Sequence, residues 1–165
     1  MKTRIVLFSL FAAMLILSAC PYQSAVPIDV PNKKVNKNLL GKWIKDSDKD
    51  QPNPEYFVIK PFDELKYNIV KFEYQTSDSS YSETKYITHL SYIDDYVFMN
   101  MQKDGEGDFY LYRLDMSGDE FTLYEVTDNI DEKFTSSDEL KAFVARYMKL
   151  SFFYNKDEVK YTRSK

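Results

Sequence analysis

The sequence has few of the residues that build metal, haem or thiol sites. Its 165 residues include one Cys and one His, whereas zinc, haem and disulfide sites usually draw on several such residues. Four glycines form no glycine-rich phosphate loop, and the Gly-x-Ser-x-Gly turn of serine hydrolases is absent. We therefore predict no cofactor, no metal site and no catalytic residues, and we expect that the protein is not an enzyme.

An excess of basic residues is also missing. The formal net charge is −4, which disfavours a broad nucleic-acid-binding surface. Hydrophobic residues make up 44% and charged residues 29% of the chain, a balance typical of a globular domain. Aromatic residues reach 16%, nearly all of them Tyr and Phe. These side chains favour β-strands.

The apolar run at the N-terminus is too short to span a bilayer. Residues 5–19 follow Lys2 and Arg4 and would extend about 22 Å as a helix at ~1.5 Å per residue, whereas the hydrocarbon core is about 30 Å thick. A basic start, an apolar run and small residues before a cleavage point are typical of a secretory signal. We predict that residues 1–19 are a signal peptide. Its removal takes away two basic residues and no acidic ones, so the charge falls from −4 to −6.

The next feature is the sequence Leu17-Ser18-Ala19-Cys20, which resembles the lipobox of bacterial lipoproteins. In that family the cysteine becomes the acylated first residue of the mature chain. The resemblance implies that Cys20 carries a lipid and anchors the protein to a membrane, and a cysteine committed to a thioether forms no disulfide. No acidic run of the kind that resembles a surface-export signal follows Cys20. The expected location is therefore the cell envelope, on the periplasmic side of the outer membrane.

Residues 21–38 (PYQSAVPIDVPNKKVNKN) contain three prolines and no glycine. Proline favours extended geometry, so this segment would reach roughly 55 Å at about 3.1 Å per residue. With Cys20 it is predicted to be a tether, residues 20–38, between the lipid and a single domain at 39–165. Its apolar residues leave a second interpretation open, in which part of the segment lies along the domain as an edge strand. These residues are Val26, Ile28, Val30 and Val35.

From residue 39 onward, short apolar segments alternate with turn signals. They predict eight strands and one helix, an order typical of an antiparallel barrel or sandwich. The helix is expected to begin at a capping box formed by Ser136 and Glu139, which an apolar stripe at helical spacing follows. The predicted strands are 43–44, 56–60, 65–75, 81–92, 96–102, 109–116, 121–127 and 159–162, and the predicted helix is 136–151.

The first predicted strand opens with Gly41-Lys42-Trp43. A Gly-x-Trp in the opening strand of a meander, with a C-terminal helix against the sheet, resembles the lipocalin and calycin group. With the preceding lipobox, the chain also resembles small lipoproteins of Bacteroidetes-type bacteria. The resemblance implies a mainly β fold, an antiparallel eight-stranded lipocalin-like barrel that is closed, open or flattened, with one C-terminal α-helix. It also implies a buried Trp43 beneath an arginine, for which Arg163 and Arg113 are the candidates.

The aromatic strands predict apolar surface on both faces of the sheet, although a half-exposed sheet normally has one polar face. We expect Leu111 to point inward and place a ligand on its face of the sheet, with Arg113 and Glu125 as polar groups. The competing interpretation, that these side chains only fill the core and support the helix, remains open. The candidate ligand-binding residues are Trp43, Phe109, Leu111, Arg113, Phe121 and Glu125.

The sequence leaves two functions open. The first is non-catalytic binding of a small apolar or amphipathic ligand, because a closed eight-stranded barrel can hold one. The second is a protein-interaction module, an inhibitor or assembly factor of the envelope, that presents a Tyr-rich sheet face including Tyr112.

Two acidic segments and the single histidine are predicted to carry no chemistry. Residues 46–50 and 104–108 superficially resemble calcium loops but lack the glycine and glutamate of an EF-hand, so we expect solvated hairpin tips. His89 is expected to be a half-exposed strand residue.

Overall fold

The computed structural model describes residues 22–164, and its strands and helix lie close to the predicted positions. Cys20 and the predicted signal peptide lie outside the described residues. The strands are β1 (Gln23–Ser24), β2 (Gly41–Lys45), β3 (Tyr56–Pro61), β4 (Tyr67–Gln75), β5 (Ser80–Ile93), β6 (Tyr96–Lys103), β7 (Phe109–Ser117), β8 (Glu120–Glu125) and β9 (Val159–Arg163), and helix α1 spans Ser137–Tyr147.

Strands β2 to β9 form a closed antiparallel barrel. Each strand pairs with the next along the chain, and β9 pairs with both β8 and β2, which closes the ring. In this closure Trp43 lies opposite Arg163 and Phe121 lies opposite Tyr161. The predicted mainly β fold, with eight antiparallel barrel strands and a helix before the last strand, is confirmed. The barrel is closed rather than open or flattened.

Strand alternation gives the molecule two apolar cores, one inside the barrel and one outside it. Successive side chains of a strand point to opposite faces, so Met99 and Met101 point into the barrel while Phe98 points out. The outer core contains Leu111 beneath Leu140 of α1. The inner core consists of Leu39, Trp43, Phe57, Ile59, Tyr67, Ile69, Leu90, Met99, Met101, Leu114, Phe121, Leu123 and Tyr161.

Helix α1 begins as predicted and ends earlier. The Ser136 hydroxyl accepts a hydrogen bond from Glu139 N at 3.3 Å, which satisfies one of the free amides of the first turn. The helix ends at Tyr147 rather than at 151, because the chain then turns back and Thr127 N donates to Phe153 O at 3.1 Å. None of the helices in residues 22–164 has the length and apolar character needed to cross a membrane.

Residues 22–31 of the predicted tether lie along the barrel, although the strand that they form is limited to Gln23–Ser24 and excludes the apolar residues that suggested an edge strand. We call residues 22–31 the strap. Its strand β1 pairs with the start of β7, and Ile28 is completely buried against the outer core. Ile28 N also donates to Asn100 Oδ1 at 2.8 Å. Burial of apolar surface and of a hydrogen bond stabilises the docked strap, and proline content alone does not reveal such contacts.

Candidate functional site

One end of the barrel is closed by a tryptophan and by the chain that precedes β2. Trp43 is completely buried, as predicted, with its ring 4.7 Å from that of Phe121. Its indole Nε1 donates to Leu39 O at 2.9 Å. Leu39 belongs to a short 3-10 turn, Lys37–Leu39, and is itself fully buried. We call this the closed end.

Arg163 is the arginine that lies over Trp43, with its guanidinium carbon 4.2 Å from the ring centroid. Its Nη1 donates to Leu40 O at 2.6 Å, and its Nη2 donates to Asn38 O. Its Nε donates to Asp119 Oδ1 at 2.9 Å. One side chain therefore joins the last strand, the segment before β2 and the β7–β8 turn.

Gly41 is needed for the same arrangement. Its φ of +128° lies where side chains other than glycine are strained. A Cβ at this position would also lie 2.9 Å from Arg163 Nη1. The structure thus gives a physical reason for the glycine of the Gly-x-Trp sequence.

The opposite end of the barrel, which we call the open end, holds a cavity of about 540 Å³. This volume is within the range of small-molecule sites, roughly 300–1,000 Å³. We call it the mouth cavity. Its lining residues are Lys45, Glu55, Phe57, Lys71, Tyr86, Met101, Tyr112, Leu123, Glu125, Asn155, Lys156, Asp157, Val159 and Tyr161.

The charges on one wall of the mouth cavity are paired with each other. Glu55 lies 3.2 Å from Lys45 Nζ and 3.5 Å from Lys71 Nζ, and it accepts a hydrogen bond from the Tyr161 hydroxyl at 3.1 Å. Lys71 also contacts Glu73 at 2.9 Å. Burial lowers the pKa of Lys71, but its contacts with Glu73 and Glu55 outweigh burial and leave that pKa raised. Lys71 is therefore charged, and both lysines of this wall are already paired with carboxylates.

The carboxylate of Glu125, on another wall, is held by neutral donors. The Tyr112 hydroxyl donates to its Oε2 at 3.3 Å, and Asn155 Nδ2 donates to its Oε1. Residues 22–164 supply no lysine, arginine or histidine nitrogen within 4.0 Å of Glu125. Burial, aided by the Glu125 charge, raises the pKa of Tyr112, so its hydroxyl stays protonated.

The loops around the open end carry mostly acidic residues. In an antiparallel meander alternate loops lie at the same end, so 46–50, 76–79, 104–108 and the residues before β9 all lie at the open end. We call these loops the acidic rim. Asp46 and Ser47 share a surface groove with Asp157 and Glu158. Within residues 22–164, no three carboxylate, histidine or cysteine side chains converge as metal ligands. The charged rim residues are Asp46, Asp48, Lys49, Asp50, Asp78, Asp104, Glu106, Asp108, Lys156, Asp157 and Glu158.

The structure divides the six predicted ligand-binding residues among three places. Trp43 and Phe121 belong to the inner core near the closed end, and Glu125 lines the mouth cavity. The other three, Phe109, Leu111 and Arg113, point outward. The structure therefore brings one of the six to the cavity and does not join them into one site.

The prediction that Leu111 points inward is wrong. Leu111 is 1% exposed in the outer core beneath α1, whereas its neighbour Tyr112 points into the barrel, as Leu114 does. Tyr112 therefore does not lie on an exposed Tyr-rich face. Arg113 also points outward, where its guanidinium carbon lies 3.8 Å from the Tyr124 ring centroid. Because both faces of β7 are apolar, the sequence pattern contained no signal for which face was inside.

Sequence reasoning missed the residues that distinguish the mouth cavity, such as Lys45, Glu55, Lys71 and Tyr161. A signal for the last two did exist. Lys71 lies two residues after the apolar Ile69, and Tyr161 lies two residues after the apolar Val159. Each therefore points to the same inward face of its strand as that apolar residue. Their shared position around the barrel could not be read without the strand register.

His89 is buried beneath the strap, so the prediction of a half-exposed position is wrong. Its Nε2 lies 2.7 Å from Asp29 O, and burial lowers its pKa. The Asp29 carboxylate accepts a hydrogen bond from Ser91 and pairs with Lys141 at 3.0 Å. We call these residues the Asp29 cluster. These contacts fix the strap to the outer face of the barrel. Within residues 22–164 they are structural contacts and give the cluster no catalytic arrangement.

Comparisons of this chain with protein-family models, with curated proteins and with solved structures found no match. Function is therefore inferred from the geometry of the barrel itself. That geometry combines a rigidly closed end with an open, chemically mixed cavity.

Proposed function

We propose that the protein is a membrane-anchored lipoprotein of the cell envelope that binds a small amphipathic molecule without catalysis. The observation that carries the proposal is the mouth cavity of about 540 Å³ at one end of a closed barrel. Phe57, Met101 and Leu123 give it an apolar inner surface, while Glu55 and Glu125 give its walls charge. An apolar pocket with a few polar groups fits a ligand that has an apolar part and a polar head.

The closed end supports the resemblance to the lipocalin and calycin group. The opening strand carries Gly41 and Trp43, and Arg163 from the last strand lies over the indole. This arrangement agrees with the pattern expected from that resemblance. It leaves the open end as the place where a ligand enters.

The membrane anchor belongs to the same proposal, with Cys20 as the acylated residue. The strap reaches the barrel at the open end, where Tyr22 N donates to Val126 O just after β8. Cys20 is two residues before Tyr22, a distance of at most about 7 Å for an extended chain. Acylation of Cys20 would hold the open end near the membrane, on the periplasmic side of the outer membrane. An amphipathic ligand could then enter the cavity from the lipid surface.

The test is native mass spectrometry of the protein purified from its own envelope without delipidating washes. We expect a reproducible small-molecule adduct. Val159→Arg adds charge to the half-buried cavity wall and should remove the adduct. Thr122→Arg is the matched control, because Thr122 lies on the outside of the neighbouring strand β8, opposite Lys160. An adduct that survives Val159→Arg, or the absence of an adduct from the wild type, would contradict the proposal.

A second candidate function, a protein-interaction module, has its own supporting observation. The outer face of β3, β4 and β5, away from α1, carries a patch of four aromatic rings. Tyr56 stacks on Phe72 at 4.6 Å, and Tyr81 lies 5.4 Å from both Tyr56 and Tyr74. All four side chains are half-buried, so part of each ring faces solvent. Aromatic surface groups are enriched at protein interfaces. Unlike Tyr112, these residues are on the surface.

The two functions are separated by one further variant. If the patch binds an envelope protein, Tyr74→Ala should release that protein, while Tyr92→Ala, at an exposed tyrosine near the closed end, should not. A partner released only by Tyr74→Ala, together with no small-molecule adduct, would favour the interaction module over the carrier.

A further inference from the structure

We infer that the mouth cavity selects a cationic amphiphile, a molecule with an ammonium-type group and an apolar chain. The inference rests on the proposed carrier function and adds the charge of the ligand. It follows from the position of an unneutralised carboxylate, Glu125, inside a cavity whose entrance is surrounded by the acidic rim.

Glu125 is the cavity group that a cation would satisfy. Its oxygens accept hydrogen bonds from Tyr112 and Asn155, both neutral, and residues 22–164 place no basic side chain within 4.0 Å. A partly buried charge without a counter-ion is unfavourable compared with a paired one. A bound ammonium would supply the missing positive charge and donate to the carboxylate.

The wall of the mouth cavity that holds Glu55 offers no equivalent site for an anion. Lys45 and Lys71 are the two lysines of that wall, and both are within 3.5 Å of Glu55. Lys71 has a second carboxylate, that of Glu73, at 2.9 Å. A ligand carboxylate or phosphate would have to break these pairs before it could use either lysine.

Lys156 also lines the cavity, but it is exposed at the entrance and follows directly on Asn155 beside the equally exposed Asp157. Among the half-buried charged groups of the walls, Glu125 is therefore the one without an ion pair to residues 22–164.

The surroundings of Glu125 suit the rest of such a molecule. Tyr112 is neutral because burial raises its pKa, so its ring adds an aromatic surface, of the kind that attracts cations, without a competing charge. Met101 and Leu123 line the same cavity and are nearly fully buried. An apolar chain would contact these side chains while the head group stays with Glu125.

The acidic rim acts on a ligand before it enters. Loops 46–50 and 104–108 each carry three acidic residues, and the second contains no basic residue. A cleft surrounded by charge of one sign concentrates ions of the opposite sign, over a distance of about 8–10 Å at physiological salt. Lys49, Lys156 and Lys103, which pairs with Glu106 at 2.6 Å, reduce this field without reversing it. The rim therefore favours entry of cations and disfavours entry of anions.

The test compares three probes that share an apolar chain and differ in head group: octylammonium, octanoate and octanol. Binding is measured by calorimetry on the full chain in phosphatidylcholine nanodiscs, with empty nanodiscs as the blank. Octylammonium should bind tightest. Glu125→Gln keeps a hydrogen-bond acceptor but removes the charge, and should weaken octylammonium binding about tenfold while leaving octanol binding unchanged. Added salt should weaken octylammonium binding alone.

Two controls separate loss of charge from loss of structure. Glu64→Gln makes the same chemical change in the β3–β4 loop, at the closed end, and should leave all three affinities unchanged. Glu125→Asp retains the charge and should restore part of the octylammonium affinity. Each variant should keep its thermal unfolding midpoint.

The possible outcomes separate the preference for a cation from the carrier function on which it depends. If octanoate binds as tightly as octylammonium, or if Glu125→Gln weakens all three probes equally, the cationic preference is overturned while the carrier function stands. If none of the probes binds the wild type, both the carrier function and its charge preference fail.

Discussion

At the residue scale, Gly41 is tied to Arg163 by both conformation and space. Its backbone has a φ of +128°, and the space where a side chain would begin is occupied by the guanidinium. Arg163 in turn holds Leu40 O and Asn38 O. A change at Gly41 should therefore reduce stability through the whole closed end.

We expect Gly41→Ala to lower the free energy of unfolding by about 2–3 kcal/mol, because it adds backbone strain and displaces Arg163. Urea unfolding followed by Trp43 fluorescence measures this change. Gly107→Ala is the matched control, since its Cβ would meet no atom within 4 Å, and it should change stability by less than about 0.5 kcal/mol. Equal effects at the two glycines would show that the closed end does not depend on Gly41.

His89 gives the molecule a pH dependence of stability. Burial is the main cause of its lowered pKa, the Asp29 carbonyl and carboxylate oppose this shift, and Lys66 adds to it. Near and below the ordinary pKa of about 6.5, the unfolded chain binds a proton that the folded protein does not. Stability therefore rises with pH in this range and is lost as the pH falls.

The expected result is a lower free energy of unfolding at about pH 5.5 than at about pH 7.5. His89→Gln removes the titrating group while keeping a donor for Asp29 O, and should reduce this difference. Urea unfolding at both pH values measures it. A wild-type protein whose stability increases on acidification, or an unchanged difference in the variant, would contradict the assignment to His89.

At the scale of elements, the strap shows how a segment with the composition of a linker becomes part of the fold. Ile28 is completely buried and Val30 is 66% exposed, although they are two residues apart. Ser91, Lys141 and His89 hold Asp29 between them. The strap thus covers apolar surface on the outer sheet that would otherwise be exposed to water.

We expect Ile28→Ala to cost about 2–4 kcal/mol of stability, the range for truncating a buried isoleucine. Val30→Ala should cost less than about 0.5 kcal/mol. Thermal or urea unfolding of the two variants provides the measurement. If neither substitution changes the free energy of unfolding, residues 22–31 behave as a free tether, and a docked strap is ruled out.

At the scale of the whole molecule, the strap would link the proposed lipid anchor at Cys20 to the mouth cavity. Because Tyr22 contacts Val126 at the open end, acylation of Cys20 as proposed would hold that end of the barrel near the bilayer. The acidic rim would then face the membrane surface. A cationic amphiphile in that membrane would meet the entrance of the cavity directly.

Cys20→Ala should move the protein from the membrane fraction to a soluble or unprocessed form, since two or more acyl chains are needed for stable anchoring. Fractionation of cell envelopes with immunoblotting measures this. Ala25→Ser is the control, because Ala25 is exposed and follows the lipobox, and it should leave the protein in the membrane fraction. If Cys20→Ala partitions with membranes as the wild type does, the lipoprotein assignment is wrong.

The sequence by itself determined the order and type of the elements. Strand β6 is an example, because it was predicted at 96–102 and spans Tyr96–Lys103. Turn residues and period-two alternation are local, so they can be read without the fold. The capping box at Ser136 is local for the same reason, and the helix begins where it predicts. Trp43 was likewise predicted to be buried.

Only the tertiary structure decided which face of each strand is inside. β7 is apolar on both faces because Tyr112 fills the barrel while Leu111 supports α1, and a pattern with two apolar faces does not distinguish them. The docking of Ile28 depends on Asn100, a residue far along the chain. The mouth cavity depends on barrel closure, which brings Glu125 of β8 and Lys71 of β4 into one space. Such long-range contacts follow from strand register and ring closure, which no local pattern encodes.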